Sequence, residues 1–334
     1  MSGLIRWGIA AAGKISEDFV IALGTLPAEE HKVVAIAARS KDRAAEFAKK
    51  HEIPDFYGSY EELAKSTNVD VVYIGVLNPQ HYEVSIQMLN NGKHVLCEKP
   101  LAMNKNQVEG ILAAAKANKR FFMEAVWSRF LPAYQYLRQL IQDSKLGEVK
   151  EVEVNFGFPM PAVERLQKRD LGGGVIYDLG IYTIQVSQWA FQNDRIEKIE
   201  SSGETNSEGV DDDVRATIKY SSGGVARMRI SSKEELNNLA IIKGTKGQVT
   251  LVDFWTPNKL IDIDGKEKVW TPPKGKLPTN YKNSEAMRYE AEAVRQSILA
   301  GEVENSTVSY EDSLVFSEIE DTIRKQIGVT NKYD

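Results

Sequence analysis

Short apolar runs alternate with helical patterns over the first 125 residues of the chain. Ser59 and Glu62 form a capping box, in which the two side chains satisfy backbone N–H groups at the start of a helix. Alternating strands and helices are typical of a parallel sheet covered by helices. We therefore predict an α/β domain over residues 1–125. Its strands are expected at residues 4–11, 32–39, 69–76, 94–98 and 121–126.

The apolar pattern changes to a period of two from residue 148 onward. Every second residue of 151–158 is Val or Phe, and residues 214–220 and 226–231 alternate in the same way. Such alternation indicates strands with one buried face, and turn sequences at 221–224 and 244–247 favour antiparallel pairing. Two helical patterns end the chain, and the Pro- and Lys-rich stretch 256–280 is expected to be a long exposed loop. We predict an α+β domain over residues 126–334.

The composition narrows the class of protein. The 334 residues include 42 Lys and Arg against 47 Asp and Glu, a formal charge of −5, so nucleic acid and anionic membranes are poor partners. The apolar runs are too short for a membrane span or a signal peptide. Cys97 is the single cysteine and the four histidines have no paired ligand spacing, which argues against disulfides and metal sites. We expect a cytoplasmic protein without a metal.

A loop of small residues follows the first predicted strand. The three key positions of the dinucleotide pattern G-x-G-x-x-G fall on Ala11, Gly13 and Ser16. Small residues there let the backbone approach a pyrophosphate, whose charge lies at the helix N-terminus. With one glycine of three, the loop also fits a tight turn without a ligand. The residues expected to hold the pyrophosphate of a dinucleotide are Ala11, Ala12, Gly13, Lys14 and Ile15.

The end of the second predicted strand bears on the choice of dinucleotide. An NAD site usually has an acidic residue there, which binds the ribose hydroxyls. This chain has Arg39 and Ser40 instead, with Arg43 one helical turn later. Guanidinium groups bind a 2′-phosphate through charge-assisted hydrogen bonds, so we predict NADP(H) as the cofactor. The alternative is a solvated pair of arginines at the start of a helix.

Lys99 comes directly after the strand predicted at residues 94–98, between Glu98 and Pro100. Ligands of such α/β domains bind at the carboxyl ends of the parallel strands. Lys99 is therefore either a lysine of the ligand crevice or an ordinary surface lysine of a loop.

Asp178 and Tyr182 follow the triple glycine 172–174 and are spaced to share one face of a helix. Hydride transfer from a secondary alcohol needs a group that accepts the hydroxyl proton, and tyrosine can serve when a nearby cation favours its phenolate. Lys99 is the candidate cation, and Asp178 could position the substrate or Lys99. An Asp–Tyr pair on a helix can equally be a matter of packing.

Several motifs resemble the glucose–fructose oxidoreductase, inositol dehydrogenase and rhizopine-catabolism (Gfo/Idh/MocA) superfamily. They include Leu96-Cys97-Glu98-Lys99-Pro100 and Gly244-Thr245-Lys246-Gly247. Longer stretches at 57–64, 123–130, 178–182 and 209–212 are similar to a branch of dimeric dihydrodiol dehydrogenases, also described as NADP-dependent D-xylose 1-dehydrogenases. The resemblance extends from Arg6 to about Val329.

The resemblance implies a Rossmann domain and a second domain whose open-faced, mainly antiparallel sheet forms a homodimer. It implies Lys99 and Tyr182 as the catalytic pair with Asp178 assisting, and Arg39 and Arg43 as ligands of the 2′-phosphate. The substrate pocket is expected to include Trp127, Arg129, Phe156 and Asp178. Further cofactor contacts are expected from Leu77, Asn78, His81, Glu98 and Lys99, although His81 could also be a surface residue.

We therefore expect an NADP-dependent oxidoreductase that transfers a hydride between a hydroxyl of a cyclic polyol and the nicotinamide. The substrate would be a pyranose such as D-xylose, or a trans-dihydrodiol, with Tyr182 as acid/base and Lys99 assisting. One alternative is a sugar or carbonyl reductase, or an inositol dehydrogenase, of the same superfamily. Another is a regulator that binds NADP without turnover, which would have no need of Lys99, Asp178 and Tyr182.

Overall fold

The computed structural model describes residues 3–192 and 194–334. These residues divide into two compact units. The first unit comprises residues 3–102, 106–127 and 272–314, and the second comprises 103–105, 128–192, 194–271 and 315–334. After Trp127 the chain leaves the first unit for the long segment 128–271 of the second unit, two residues beyond the boundary predicted at residue 125. Residues 272–314, which the sequence pattern assigned to the second domain, pack in the first unit.

Strands and helices alternate along the amino-terminal part of the chain, as predicted. In chain order they are β1 (Ile5–Ala10), α1 (Lys14–Leu23), β2 (His31–Ala37), α2 (Lys41–His51), β3 (Asp55–Tyr57), α3 (Tyr60–Lys65), β4 (Val71–Ile74), α4 (His81–Asn90), β5 (His94–Glu98), α5 (Lys105–Asn118) and β6 (Phe122–Ala125).

The strands of the first unit form a parallel sheet in the order β3-β2-β1-β4-β5-β6. Helices cover both faces of such a sheet, which is why a strand such as β4 is apolar and buried along its whole length. The strand order reverses between β1 and β4. Ligands of this fold bind at that reversal, outside the carboxyl ends of the strands. The predicted Rossmann domain is confirmed.

A close approach between β4 and α1 fixes the geometry of this reversal. A Cβ atom on Gly75, directly after β4, would overlap the buried Oγ of Ser16 on α1. Ser16 occupies the position at which the dinucleotide pattern has its third glycine. The space for helix–strand packing therefore comes from Gly75, on the neighbouring strand.

The chain continues through the second sheet to two long helices. In order the elements are α6 (Pro132–Gln142), β7 (Val149–Gly157), α7 (Glu164–Gln167), α8 (Ile181–Phe191), β8 (Ile196–Thr205), β9 (Asp211–Tyr220), β10 (Val225–Ser231), β11 (Leu239–Gly244), β12 (Gly247–Val252), β13 (Lys259–Ile261), β14 (Glu267–Val269), α9 (Arg288–Leu299) and α10 (Tyr310–Gln326).

The second sheet has the order β14-β13-β12-β11-β7-β10-β9-β8. Its neighbours pair antiparallel except β7 and β10, which are parallel. Helix α8 packs on β7, β10 and β11, so alternate residues of these strands are buried. The prediction of a mainly antiparallel sheet is confirmed.

The prediction of a long loop over residues 256–280 is wrong in part. Strands β13 and β14 pair within it and extend the sheet beyond β12. Each strand has three residues, too few for a period of two to stand out among lysines and prolines. The turn between them contains Asp264 and Gly265, a dipeptide typical of hairpins, and this signal could have revealed the pair.

Replacing Gly75 with alanine is expected to destabilise the first unit by about 2 kcal/mol, because the added methyl group forces α1 and β4 apart. The free energy of chemical unfolding measures this change. Gly24→Ala is the matched control, since Gly24 already has a right-handed helical conformation and its replacement should cost less than about 1 kcal/mol. Equal stabilities of the two variants would contradict the expectation.

Candidate active site

The phosphate loop lies between β1 and α1, where the strand order reverses. Ala11 has a φ of 92°, a conformation that glycine adopts more easily, and its N–H donates to the Ala37 carbonyl at 2.9 Å. A Cβ on Gly13 would approach no described atom beyond its chain neighbours more closely than the Gly75 carbonyl oxygen, at 3.9 Å. The fold itself therefore leaves room beside Gly13. Together with the N–H groups of the first turn of α1, this room fits a pyrophosphate.

Two exposed arginines, Arg39 and Arg43, follow β2, and Arg43 lies beside the phosphate loop. Arg43 Nη2 lies 3.4 Å from the Ala12 carbonyl oxygen, and Ser40 Oγ accepts a bond from the Arg43 N–H as the N-cap of α2. Burial raises the pKa of the Tyr60 hydroxyl, and the charges of Arg39 and Arg43 oppose that rise. Tyr60 is therefore close to both guanidinium groups. The sequence analysis missed it because it is part of a different strand–helix connection.

Lys99 follows β5, at the same edge of the parallel sheet. The side chain of the preceding residue, Glu98, is buried and accepts a hydrogen bond from the Tyr73 hydroxyl at 2.6 Å. Its second oxygen accepts the Lys99 backbone N–H at 3.2 Å. Glu98, predicted as a cofactor ligand, thus anchors the backbone at Lys99.

His81 is buried and bridges the connections that follow β4 and β5. Its Nδ1 lies 2.8 Å from the Pro100 carbonyl oxygen and its Nε2 lies 3.1 Å from that of Val76. Burial lowers its pKa to about 4, and the Lys99 charge acts in the same direction. The ring is therefore neutral at pH 7 and donates to one of the two carbonyls. Leu77 and Asn78, also predicted as cofactor ligands, lie in the connection that the ring holds.

Residues 280–281, at the end of the predicted loop, pack on α1 in the first unit. The backbone N–H groups of Asn280 and Tyr281 donate to the carboxylate of Asp18 at 2.7 and 2.9 Å. The Asn280 side chain also donates to the Lys14 carbonyl at 3.3 Å. Residues 280–281 therefore lie beside the phosphate loop.

Asp178 lies in a π-helical turn, Ile176–Gly180, that leads directly into α8. The sequence predicted an uninterrupted helix. Arg165 of α7 binds both carboxylate oxygens of Asp178, at 2.8 and 3.1 Å. This fork fixes the plane of the carboxylate. π-Helical turns are frequent at functional sites, since they alter the direction of side chains on a helix.

Tyr182 belongs to an aromatic cluster in the second unit. Phe156 meets Tyr182 edge to face with ring centroids 5.8 Å apart, and stacks on Trp255 at 4.6 Å. Phe158 and Phe254 complete this cluster around Phe156. Of this cluster, Phe156 and Tyr182 were predicted as site residues from the sequence, and the other members were not. The pair Phe254-Trp255, soon after β12, was the available signal.

The two other predicted pocket residues are also buried. Trp127 lies in the short helical turn after β6. The guanidinium of Arg129 packs over the rings of Trp189 and Phe316, at 4.9 and 4.8 Å from their centroids. Arg129 thus contributes to packing in the second unit, and its place in a substrate pocket stays a prediction.

Comparison with known proteins decides the family. Residues 5–126 match the model described as an oxidoreductase family with an NAD-binding Rossmann fold, and residues 134–250 match the GFO/IDH/MocA C-terminal domain. The chain is 44% identical over 331 residues to a trans-1,2-dihydrobenzene-1,2-diol dehydrogenase of Danio rerio, with 99% of each chain covered. The enzyme of the same name from Homo sapiens is 39% identical over 331 residues, again with 99% of each chain covered.

The chain belongs to the Gfo/Idh/MocA oxidoreductase family. The resemblance stated from the sequence motifs is confirmed. The first unit is thus an NAD(P)-binding Rossmann domain, and the protein is an oxidoreductase that acts on CH–OH groups.

Solved structures of other proteins share the fold of this chain. A levoglucosan dehydrogenase in complex with NADH and levoglucosan matches with a TM-score of 0.84 at 20% identity, covering 97% of each chain. KijD10, a 3-ketoreductase from Actinomadura kijaniata in complex with NADP and TDP-benzene, matches with a TM-score of 0.82 at 23% identity, covering 97% of this chain and 98% of that chain.

The described residues contain no cluster of three His, Cys, Asp or Glu side chains arranged to hold a metal ion. Among the helices of the described ranges, none combines the length and apolarity that crossing a membrane requires.

His81 makes the stability of the first unit depend on pH. Its pKa is about 4 in the folded chain, against an ordinary value of 6.5, so the unfolded chain binds more protons between these values. Stability therefore falls as the pH is lowered through this window, by about 2 kcal/mol between pH 7 and pH 5. In His81→Gln, this contribution to the difference in unfolding free energy between the two pH values should disappear.

Urea unfolding at pH 7 and pH 5 measures the effect. The control is His51→Gln, because the His51 ring pairs with the Glu17 carboxylate and its protonation is partly compensated. An unchanged difference in His81→Gln would refute the assignment of a neutral, buried ring.

Proposed function

We propose that the protein is an NADP-dependent dehydrogenase of cyclic polyols, which oxidises a hydroxyl of a pyranose such as D-xylose or of a trans-dihydrodiol. The observation that carries this proposal is the identity of 39–44% over nearly the whole chain to relatives named trans-1,2-dihydrobenzene-1,2-diol dehydrogenase. The partly buried ring of Trp255, which stacks on Phe156 beside Tyr182, supports it, because an aromatic ring suits the apolar faces of a ring substrate.

The residues around the phosphate loop suit NADP. Arg43 brings a positive charge next to Ala12, and Arg39 and Arg43 both lie near Tyr60, so a 2′-phosphate on the adenosine ribose would meet both charges there. The Ser40 hydroxyl can donate to the phosphate while it accepts the Arg43 N–H, and the chain offers no acidic residue at the end of β2. We therefore propose Arg39, Ser40 and Arg43 as the residues that select the phosphorylated cofactor.

The reaction divides between a hydride and a proton. The nicotinamide of the bound cofactor supplies the carbon that accepts the hydride. Tyr182 takes the proton of the substrate hydroxyl, and Lys99 contributes the positive charge that favours its phenolate. Asp178 binds another hydroxyl of the substrate with its carboxylate, whose orientation Arg165 fixes.

Arg39→Asp should weaken NADP⁺ binding by 10-fold to 100-fold, on the order of one lost charge-assisted hydrogen bond, and leave NAD⁺ binding within about threefold. Titration calorimetry with each cofactor measures the two dissociation constants. Lys49→Asp makes the same change of charge at the far end of α2 and should affect neither constant strongly. Equal losses for NADP⁺ and NAD⁺ would refute the assignment.

Tyr182→Phe should lower kcat by about 100-fold or more, because the general base is lost while the ring still packs on Phe156. The initial rate of NADP⁺ reduction is measured with D-xylose, D-glucose, an inositol and a trans-dihydrodiol, and NAD⁺ serves as the comparison. The matched control is Tyr220→Phe, because Tyr220 is also buried and its hydroxyl accepts a hydrogen bond from Gln188. Wild-type rates in Tyr182→Phe would assign the base to another residue, and no turnover of any substrate would remove the proposed activity.

We also propose that two copies pair through the open face of the second sheet. On this face Arg227 and Lys243 flank Glu151, so charges of both signs alternate across the strands. Such a surface can be complementary to itself in a twofold dimer. Light scattering should give about twice the 37.4 kDa of one chain.

The double variant Arg227→Glu with Lys243→Glu should shift the protein to monomers, because like charges then meet across the face. Lys246→Glu, at the tip of the β11–β12 hairpin, is the control that should stay dimeric. A double variant that remains a dimer would exclude this face.

A further inference from the structure

The carboxylate of Asp211 reaches the start of the turn that carries Asp178. Asp211 is the first residue of β9, and it belongs to a motif, residues 209–212, to which the proposed reaction gives no role. Its Oδ2 accepts a hydrogen bond from the Ile176 backbone N–H at 2.8 Å, across 35 positions of the chain. The residue is 1% exposed, so water does not compete for this bond.

Gly174 fits closely against this carboxylate. Its φ is +127°, and a Cβ there would lie 2.5 Å from Asp211 Oδ1. The Gly174 carbonyl in turn accepts the Asp178 N–H at 3.2 Å. A short series of contacts therefore leads from the Asp211 side chain to the backbone of Asp178.

The π-helical turn has no cap of its own. The residue at its N-cap position is Val175, whose side chain cannot accept a hydrogen bond. The first N–H groups of a helix need acceptors from outside the helix, and a carboxylate at this end is favoured by the helix dipole. Asp211 supplies this acceptor from β9. The π-helical turn that it caps leads directly into α8, which contains Tyr182.

We propose that Asp211 is a positioning residue, which holds the π-helical turn and the start of α8 so that Asp178 and Tyr182 meet the substrate in the reactive orientation. This inference rests on the proposed function of Asp178 and Tyr182. A misplacement of about 1 Å in catalytic groups can cost on the order of 100-fold in rate.

The surroundings of Asp211 determine the pH at which its carboxylate becomes ionised. Burial raises its pKa to about 6, and backbone N–H groups of Ile176 and Val175 and the charge of Arg324 oppose that rise. Arg324 faces it from α10, while β8 places the uncharged Thr205 opposite. Above pH 6 the carboxylate accepts the backbone N–H groups, and below pH 6 the protonated group is a weaker acceptor.

Asp211→Ala and Asp211→Asn test the proposal, with Asp212→Asn as the control. Asp212 is the adjacent carboxylate and pairs with Lys233. We expect kcat to fall at least 10-fold in Asp211→Ala, to an intermediate value in Asp211→Asn, which keeps one acceptor oxygen, and by less than twofold in Asp212→Asn. The dissociation constant for NADPH should not change in any of them, and amide hydrogen exchange across residues 174–182 should accelerate in Asp211→Ala.

A role limited to stability would lower the melting temperature of Asp211→Ala and leave kcat per folded enzyme within twofold, and that result would overturn the proposal. If Asp211→Ala does not fold, the pH profile of carbonyl reduction decides. Tyr182 gives up a proton in this direction, so its own titration limits the rate at high pH. The wild type should lose kcat as the pH falls through 6, and Asp211→Asn should not.

The same loss of rate at low pH in both proteins would refute the role of Asp211. Tyr182→Phe is measured in the same series. If it turns over at the wild-type rate, the proposed mechanism fails, whereas an inactive Tyr182→Phe beside a fully active Asp211→Ala removes the Asp211 inference alone.

Discussion

The hydrogen bond from the Ile176 N–H to the Asp211 carboxylate lies at the start of the π-helical turn that leads into α8, and two close backbone contacts surround it. The backbone passes close to that carboxylate at residue 174, which requires glycine there. It also passes close to the end of α7 at residue 173, where a Cβ would lie 2.6 Å from the Leu166 carbonyl oxygen, so this position requires glycine as well. That second approach brings α7 next to the turn, so that Arg165 can reach Asp178. Gly173 and Gly174 are therefore sites of close packing.

The parallel sheet was the most predictable part of the molecule. Its strands are buried on both faces, so their apolar runs stand out against the helices, and β5 was predicted with the bounds that it has. Local signals were equally dependable. The Glu62 N–H donates to Ser59 Oγ at 3.3 Å, although the Glu62 carboxylate turns to the Gly58 N–H instead of that of Ser59. The motif around Lys99 also depends on neighbouring residues alone, because it is contiguous in sequence, and it therefore indicated the family correctly.

The features that escaped prediction depend on partners distant in sequence. Nothing in the residues around Asp178 indicates that Arg165 binds it, and nothing near His81 indicates that the Pro100 carbonyl accepts from its ring. A π-helical turn of five residues is too short for its side-chain period to differ visibly from that of an α-helix, so Ile176–Gly180 could not be distinguished from one. The roles of single side chains in a site follow from the tertiary fold, whereas element type follows from local periodicity.

The discontinuity of the first unit has a consequence for synthesis of the chain. The Phe122 N–H at the sheet edge donates to the Val303 carbonyl, Glu292 of α9 binds His31, and Arg295 binds the Gly3 carbonyl. Each of these bonds joins an early segment to one that leaves the ribosome after the strands of the second sheet. During synthesis the Rossmann domain therefore lacks residues 272–314 until more than a hundred residues of the second unit have emerged from the ribosome. Until residue 303 has been synthesised, the β6 edge lacks its Val303 partner, and an unpaired strand edge of this kind is a site at which other chains can pair.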